Sequence, residues 1–402
     1  MGAQNNQPKV TSRISLSELG REPFRIFFPA AVLAGLFGVS LWPLFFGGMT
    51  SLYPGQGHAR IMAYGFFGGF IFGFLGTAMP RMLSVPPLGL RNVSLLFTLY
   101  VAMNIAFATG HVAWGDGLFA TLLVFFATAM ILRVRHREAL PPPGFVLVGM
   151  SFACVFAAAV MALWQHQNPE TGAYWHSLQK LLGYQGFVLL PILGIGPFIL
   201  PRFFGMPSSH DLPDSIKPSS AWRKKAVLAL SAGLLIVVSF FIEAAGNLKV
   251  AYGLRFIVTA AYLLLEFPFR TAKAGGNALT LSLRLALALM AAGFLAVMLF
   301  PAYRTGLLHL TLMGGFAVVT FVVATRVIFG HSGNLAKLKL PNRWVFVAVS
   351  LMIMAMATRL SGDLWPKLMV SHYNYGVLVW AAGVLLWAWK VLPRVLEAEP
   401  ED

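Results

Sequence analysis

The 402-residue chain is poor in charge and almost devoid of cysteine. Charged residues make up 11% of it, only 14 are acidic, and the one cysteine is Cys154. A lone thiol excludes an internal disulfide, a paired-thiolate metal site and covalent CxxCH haem attachment. Set among Phe152, Ala153, Val155 and Phe156, it reads as a small buried hydrophobe. No Walker A loop, GxGxxG turn, HExxH helix or serine nucleophile elbow stands in a suitable context, so nucleotide-driven pumps and soluble-type hydrolases have no foundation here. The stretch before Arg25 lacks the apolar run and small-residue cleavage site of a signal peptide. The N-terminus is therefore expected to stay in the compartment of synthesis.

Apolar residues, by contrast, make up 58% of the chain, and the mean hydropathy is +0.73. A soluble core of this size could not hide that much apolar surface, so the composition points to an all-α polytopic membrane protein. Apolar runs long enough to cross a bilayer lie near 26–48, 59–80, 92–111, 114–133, 144–164, 176–200, 226–246, 249–268, 279–300, 305–329, 343–360 and 371–392. That makes about twelve transmembrane helices. Most of the 30 Lys and Arg fall on one side when the N-terminus is placed in the cytoplasm, which makes both termini cytoplasmic. The net charge of +16 is thus explained by topology and not by nucleic acid. The expected organisation is a cytoplasmic segment over 1–25, one membrane domain over 26–395 and an acidic tail over 396–402. Within the membrane domain, a polar, Pro-rich cytoplasmic loop over 203–222 joins halves 26–202 and 223–395, which show no strong self-similarity.

The histidines divide unevenly on this topology. His58, His111, His166, His176, His309 and His372 fall on the non-cytoplasmic side. His136, His210 and His331 fall on the cytoplasmic side, the first two in polar loops. Imidazole is a common metal ligand and an axial ligand of haem iron, so helix-borne histidines at one depth could build a metal site. His309 and His331 share one long helix and, at 1.5 Å rise per residue, stand roughly 33 Å apart, too far to share an ion.

Around His176 the row His176, Lys180, Tyr184, with Gln185 beside it, forms a polar stripe on an apolar span. It marks Lys180 and Tyr184 as candidate catalytic groups on a water or proton path, the alternative being a lysine that snorkels to the interface. Arg60 and Arg304 lie near candidate ligands, where they could pair with cofactor carboxylates. Met313 reads as packing. Arg359, Asp363 and Lys367 read as the solvated lip before His372, while Glu243 and Glu266, near span ends, are expected to be solvated at the interface. Gly65, Gly68, Gly69, Gly73 and Gly76 suggest close helix packing, or room for a flat macrocycle.

Three stretches resemble the NnrS family of twelve-span inner-membrane proteins. The first is His58-Ala59-Arg60-Ile61-Met62, followed by Gly65-Phe66 and by Gly73 through Pro80. The second is Pro23-Phe24-Arg25-Ile26-Phe27-Phe28. The third is Leu308-His309, Thr325-Arg326 and Gly330-His331-Ser332-Gly333. The resemblance implies a haem- and copper-containing protein of the bacterial inner membrane, linked to nitric oxide metabolism and nitrosative stress. His58, His309 and His331 match family histidines. Arg60 stands where the family has a second histidine, Ile61 where it has glutamate, and Asn334 where it has arginine, which implies altered metal content or chemistry in this chain.

On these grounds His58 and His309 are the expected haem ligands, with Arg60 and Arg304 on the propionates and the haem non-covalent, of b type. A second metal, copper, would draw on His111, His176 or His372, with His331 a further matched histidine of undefined role. The enzymatic form of this reading is a haem-dependent oxidoreductase that acts on nitric oxide or a related small molecule and takes electrons from a donor. The alternatives are a transporter for a small solute or metal ion that uses the same polar residues, and an assembly factor for another respiratory metalloenzyme.

Overall fold

The computed structural model describes residues 14–213, 215–267 and 277–398. Residues 1–13 of the expected N-terminal segment and 399–402 of the acidic tail lie outside the described residues. Among the described residues twelve helices are long and apolar enough to cross a membrane: Phe24–Phe46, Pro54–Met82, Leu90–Ala108, Val112–Val134, Phe145–Gln167, Ala173–Phe204, Ser220–Ala244, Leu248–Glu266, Ala278–Leu299, Pro301–His331, Arg343–Leu364 and Pro366–Leu396. They are referred to below as spans 1 to 12. Spans 2, 6, 10 and 12 outrun their apolar stretch at both ends, whereas spans 1, 3, 7 and 8 stop short of the expected end. Span 7 begins at Ser220 and not near residue 226, because the Ser219 hydroxyl accepts the Trp222 amide at 3.1 Å and caps the first turn.

An even number of crossings returns the chain to its starting side, where the start of span 1 meets the segment that follows span 12. Arg25 donates to the carbonyls of Val395 and Glu397, each at 2.7 Å, and to that of His331 at 3.2 Å. The two halves pack as one bundle, span 12 lying against span 1 and span 7 against span 5.

Spans 2, 6 and 10 form the middle. In its most apolar stretch span 2 is 83% buried, whereas span 3 is 33% buried and faces outward. Small residues make this central position achievable. A Cβ on Gly69 would stand 2.7 Å from both the Ala31 Cβ and the Tyr100 hydroxyl, so only glycine lets spans 1, 2 and 3 approach so closely. Each central span also carries a π-helical stretch, at Ile61–Phe67, Leu181–Gly186 and Leu310–Ala317. Such stretches widen one turn and re-aim the side chains beyond it, and they recur at functional sites. Backbone groups released by helix irregularities are bonded by side chains, as they must be in a bilayer. Tyr100 donates to the Gly65 carbonyl at 2.8 Å. Ser151 donates at 3.0 Å to the Phe187 carbonyl, whose usual helical donor position is occupied by Pro191.

Two acidic residues expected at the solvated interface are instead buried. Glu243 accepts from Arg255 at 2.9 Å, Tyr252 at 3.0 Å and Arg304 at 3.1 Å. The fully buried Arg255 fills its remaining donors with Ser239 and Gln185 and lies between the rings of Phe240 and Tyr252. Glu266 accepts from His210 at 2.8 Å and Lys225 at 2.9 Å. His210, expected in a polar loop, is thereby drawn into the bundle, its other ring nitrogen accepting the Gly144 amide. A carboxylate in an apolar medium persists only when paired and hydrogen-bonded, and each of these is.

Candidate functional site

At the end of the bundle opposite Arg25 and Val395, spans 1, 2, 6, 10, 11 and 12 line a cavity of about 430 Å3. That volume falls within the range of about 300–1,000 Å3 typical of sites for cofactor-sized molecules. Its wall is mainly aromatic and aliphatic, with Val39, Trp42, Met62, Phe67, Leu312, Met313 and Trp380. His58, His309, Tyr184, Arg359, Tyr53 and Tyr373 supply the polar groups.

His58 and His309 reach this cavity from spans 2 and 10, each just ahead of its π-helical stretch. Both rings are oriented by a backbone carbonyl. His58 Nδ1 lies 2.9 Å from the Gly38 carbonyl oxygen, and His309 Nδ1 lies 2.8 Å from that of Thr305. A carbonyl only accepts, so Nδ1 carries the proton in each ring and Nε2 keeps its lone pair. Metal-ligating histidines are characteristically held this way, since the second hydrogen bond fixes the tautomer and raises the basicity of the ligating nitrogen. The approach of span 1 depends on glycine: a Cβ on Gly38 would meet the Ile61 side chain at 2.9 Å and the Met62 sulfur at 3.1 Å.

Of the other candidates, Tyr184 borders the cavity, and its buried hydroxyl has no hydrogen-bond partner among the described residues. Lys180, one turn earlier, is exposed and outside the wall, as is the half-buried His176. His111 is exposed and bonds the Thr109 hydroxyl at 2.9 Å. His372 bonds Ser361 at 2.7 Å while its neighbour Tyr373 faces the cavity. No group of three or more His, Cys, Asp or Glu that could hold a metal ion occurs among the described residues. The pair His58 and His309 is brought together, and the second-metal histidines are not.

The two arginines considered for carboxylate binding have protein partners. Arg60 is buried and grips Asp116 with Nε at 2.8 Å and Nη2 at 2.9 Å, and His166 takes the second Asp116 oxygen at 2.9 Å. Arg304 reaches Glu243. The cation on the cavity wall is Arg359, which lies within span 11 and not on a solvated lip. It pairs with Asp363 at 2.6 Å and stacks 3.8 Å from the centre of the Tyr373 ring. The four-residue spacing of Arg359 and Asp363 was the available signal, since it places an ion pair on one helix face.

His331 takes part in a different structure at the Arg25 end of the bundle. Its Nδ1 lies 2.6 Å from the buried Glu22 carboxylate, which also binds Arg25 at 2.6 Å and Arg81 at 2.5 Å. Burial pushes the Glu22 carboxyl up, but the hydrogen bond and charge of His331, with Arg25, outweigh it and hold the group below the usual carboxylate range. Asn334 joins the same clasp through Glu397 at 2.5 Å.

No curated protein matches the chain. The family model described as NnrS protein matches residues 18–398, nearly its whole length. The match spans the two cavity histidines as well as the clasp around His331, and the chain belongs to the NnrS family.

Proposed function

We propose that this membrane protein binds a haem of b type between His58 and His309 and uses it in nitric oxide metabolism or in protection from nitrosative stress. Membership of the family supports a membrane protein linked to the nitric oxide response. The observation that carries the haem reading is the pair of imidazoles facing one apolar cavity, each with Nδ1–H bonded to a carbonyl and Nε2 left to ligate. This donor set, two imidazole nitrogens on an aromatic and aliphatic wall, fits a flat apolar macrocycle. Copper has no comparable site among the described residues, for want of a third ligand.

A haem held in the cavity by His58 and His309 would supply a redox-active iron able to carry electrons or to bind nitric oxide. The chain contributes the rest. Gly38 and Thr305 hold the rings, Trp42, Phe67 and Trp380 keep water out, and the Arg359 guanidinium offers charge to cofactor carboxylates. Tyr184 presents a hydroxyl with an unspent hydrogen bond, fit to hold a polar end of a bound small molecule. Arg25, Arg81 and Lys225 lie at the end opposite the cavity, and taking that end as cytoplasmic places the cavity toward the outer face of a bacterial inner membrane. A polar translocation path is disfavoured, because the His176, Lys180, Tyr184 row continues into Val188 and Ile192, which border an apolar chamber.

The test is a reduced-minus-oxidised absorbance spectrum of the full chain purified from haem-sufficient cells. A Soret band that disappears in His58→Ala and in His309→Ala but survives in His331→Ala is the expected result. Absence of the band from the wild type would overturn the reading.

A further inference from the structure

Where spans 2, 6 and 10 meet, a second chamber of about 90 Å3, open on one side past the half-buried Ile195 and Val323, lies among Phe67, Phe70, Ile195, Val319 and Val323. Its one polar side chain, Thr320, donates its hydroxyl to the Phe316 carbonyl at 2.8 Å and has no donor to spare. A buried water needs only about 10–15 Å3 of such space but requires two to four polar partners, which this wall does not offer. Apolar spaces lined by Leu, Ile and Phe take up small apolar guests such as xenon. An anion or an ammonium would lose its hydration there with nothing in return. The chamber adjoins the histidine cavity, and Phe67, at the end of the π-helical stretch of span 2, borders both spaces.

We propose that this chamber is a binding site for a neutral apolar diatomic gas, nitric oxide in the first instance, and that it passes the gas to the histidine cavity across the Phe67 ring. The assignment of nitric oxide rests on the function proposed above, whereas the binding of an apolar gas does not. Uptake into the chamber needs no charge or hydrogen bond. The guest leaves a dispersive contact for the histidine cavity, where Tyr184 offers a hydroxyl. Phe67 is therefore a gating residue, and Val323 and Ile195 set the size of the chamber.

Xenon is the probe. The full chain in lipid nanodiscs, equilibrated with xenon and followed by 129Xe NMR, should show saturable binding in the wild type that is lost in Val323→Trp. Ile195→Phe fills the same space from span 6 and serves if Val323→Trp does not fold. In haem-loaded protein, the filled variant should keep the wild-type spectrum and take up nitric oxide severalfold more slowly after rapid mixing. Three results would overturn the proposal: no saturable xenon binding in the wild type, xenon binding unchanged by both substitutions, or a nitric oxide rate that filling leaves untouched. Xenon binding in a chain without a Soret band would refute the haem reading and leave the gas chamber standing.

Discussion

Arg60→Met removes a guanidinium and keeps most of the stem, so it separates two roles for this position. If Arg60 serves the fold, its task is to neutralise Asp116, a residue 1% exposed whose carboxylate receives two bonds from the arginine at 2.8 and 2.9 Å. Breaking a buried pair from one side strands the other charge, at a cost of about 3–5 kcal/mol. His166 remains within 2.9 Å of Asp116, which argues for the lower end, about 3 kcal/mol. Replacing both partners removes the stranded charge, so Arg60→Met/Asp116→Leu should return to within about 1 kcal/mol of wild type, well below the sum of the two single substitutions. Reversible unfolding in mixed micelles, followed by tryptophan fluorescence, reads these differences, and the Soret band is recorded on each variant. A loss below about 1 kcal/mol in Arg60→Met would show that the pair is not structural, since that is the range of exposed ion pairs. A well-folded double variant without a Soret band would show that Arg60 holds the cofactor.

Three further outcomes follow from the geometry. Glu22, depressed in the folded state, contributes stability that is present above its ordinary value near 4.5 and is lost as pH falls from there toward 2. Glu22→Gln should therefore flatten the acid limb of a thermal-stability profile, and an unchanged limb would remove the clasp from the account. Tyr184→Phe should leave stability within about 0.5 kcal/mol of wild type, because the hydroxyl makes no bond that could be lost. The same variant should alter nitric oxide binding in stopped flow, and identical kinetics would deprive Tyr184 of a role. Gly69→Val forces a branched side chain against Ala31 and Tyr100, and overpacking of this kind should cost about 1–3 kcal/mol in the same unfolding assay. A neutral result would mean that spans 1, 2 and 3 approach less closely than described.

The candidate site was legible in part. His58 and His309 stood out because a polar ring is unusual in an apolar span, and both line the cavity. Tyr184 was marked by the four-residue row below His176. The same row suggested Lys180, but the lysine is exposed and does not border the cavity. Arg60 and Arg304 were recognised as charges in need of partners, yet their partners lie 56 and 61 residues away in sequence. No periodicity connects such pairs. Arg359 escaped because, although it falls inside the expected run 343–360, it was grouped with Asp363 and Lys367 as the lip before His372, whereas the helix continues to Leu364 and carries both Arg359 and Asp363.

What the sequence determined by itself was the count and rough position of the twelve helices. Crossing a bilayer requires only a local run of apolar residues whose backbone bonds close within the segment. Only the tertiary structure decided which helices are central, where the Gly38 carbonyl meets His58, that Glu22 meets His331 across 309 residues, and that Asp116, Glu243 and Glu266 are paired and not solvated. Those contacts are set by the packing of side chains from distant segments. In a medium without water, a buried charge can be placed only when its partner's position in space is known.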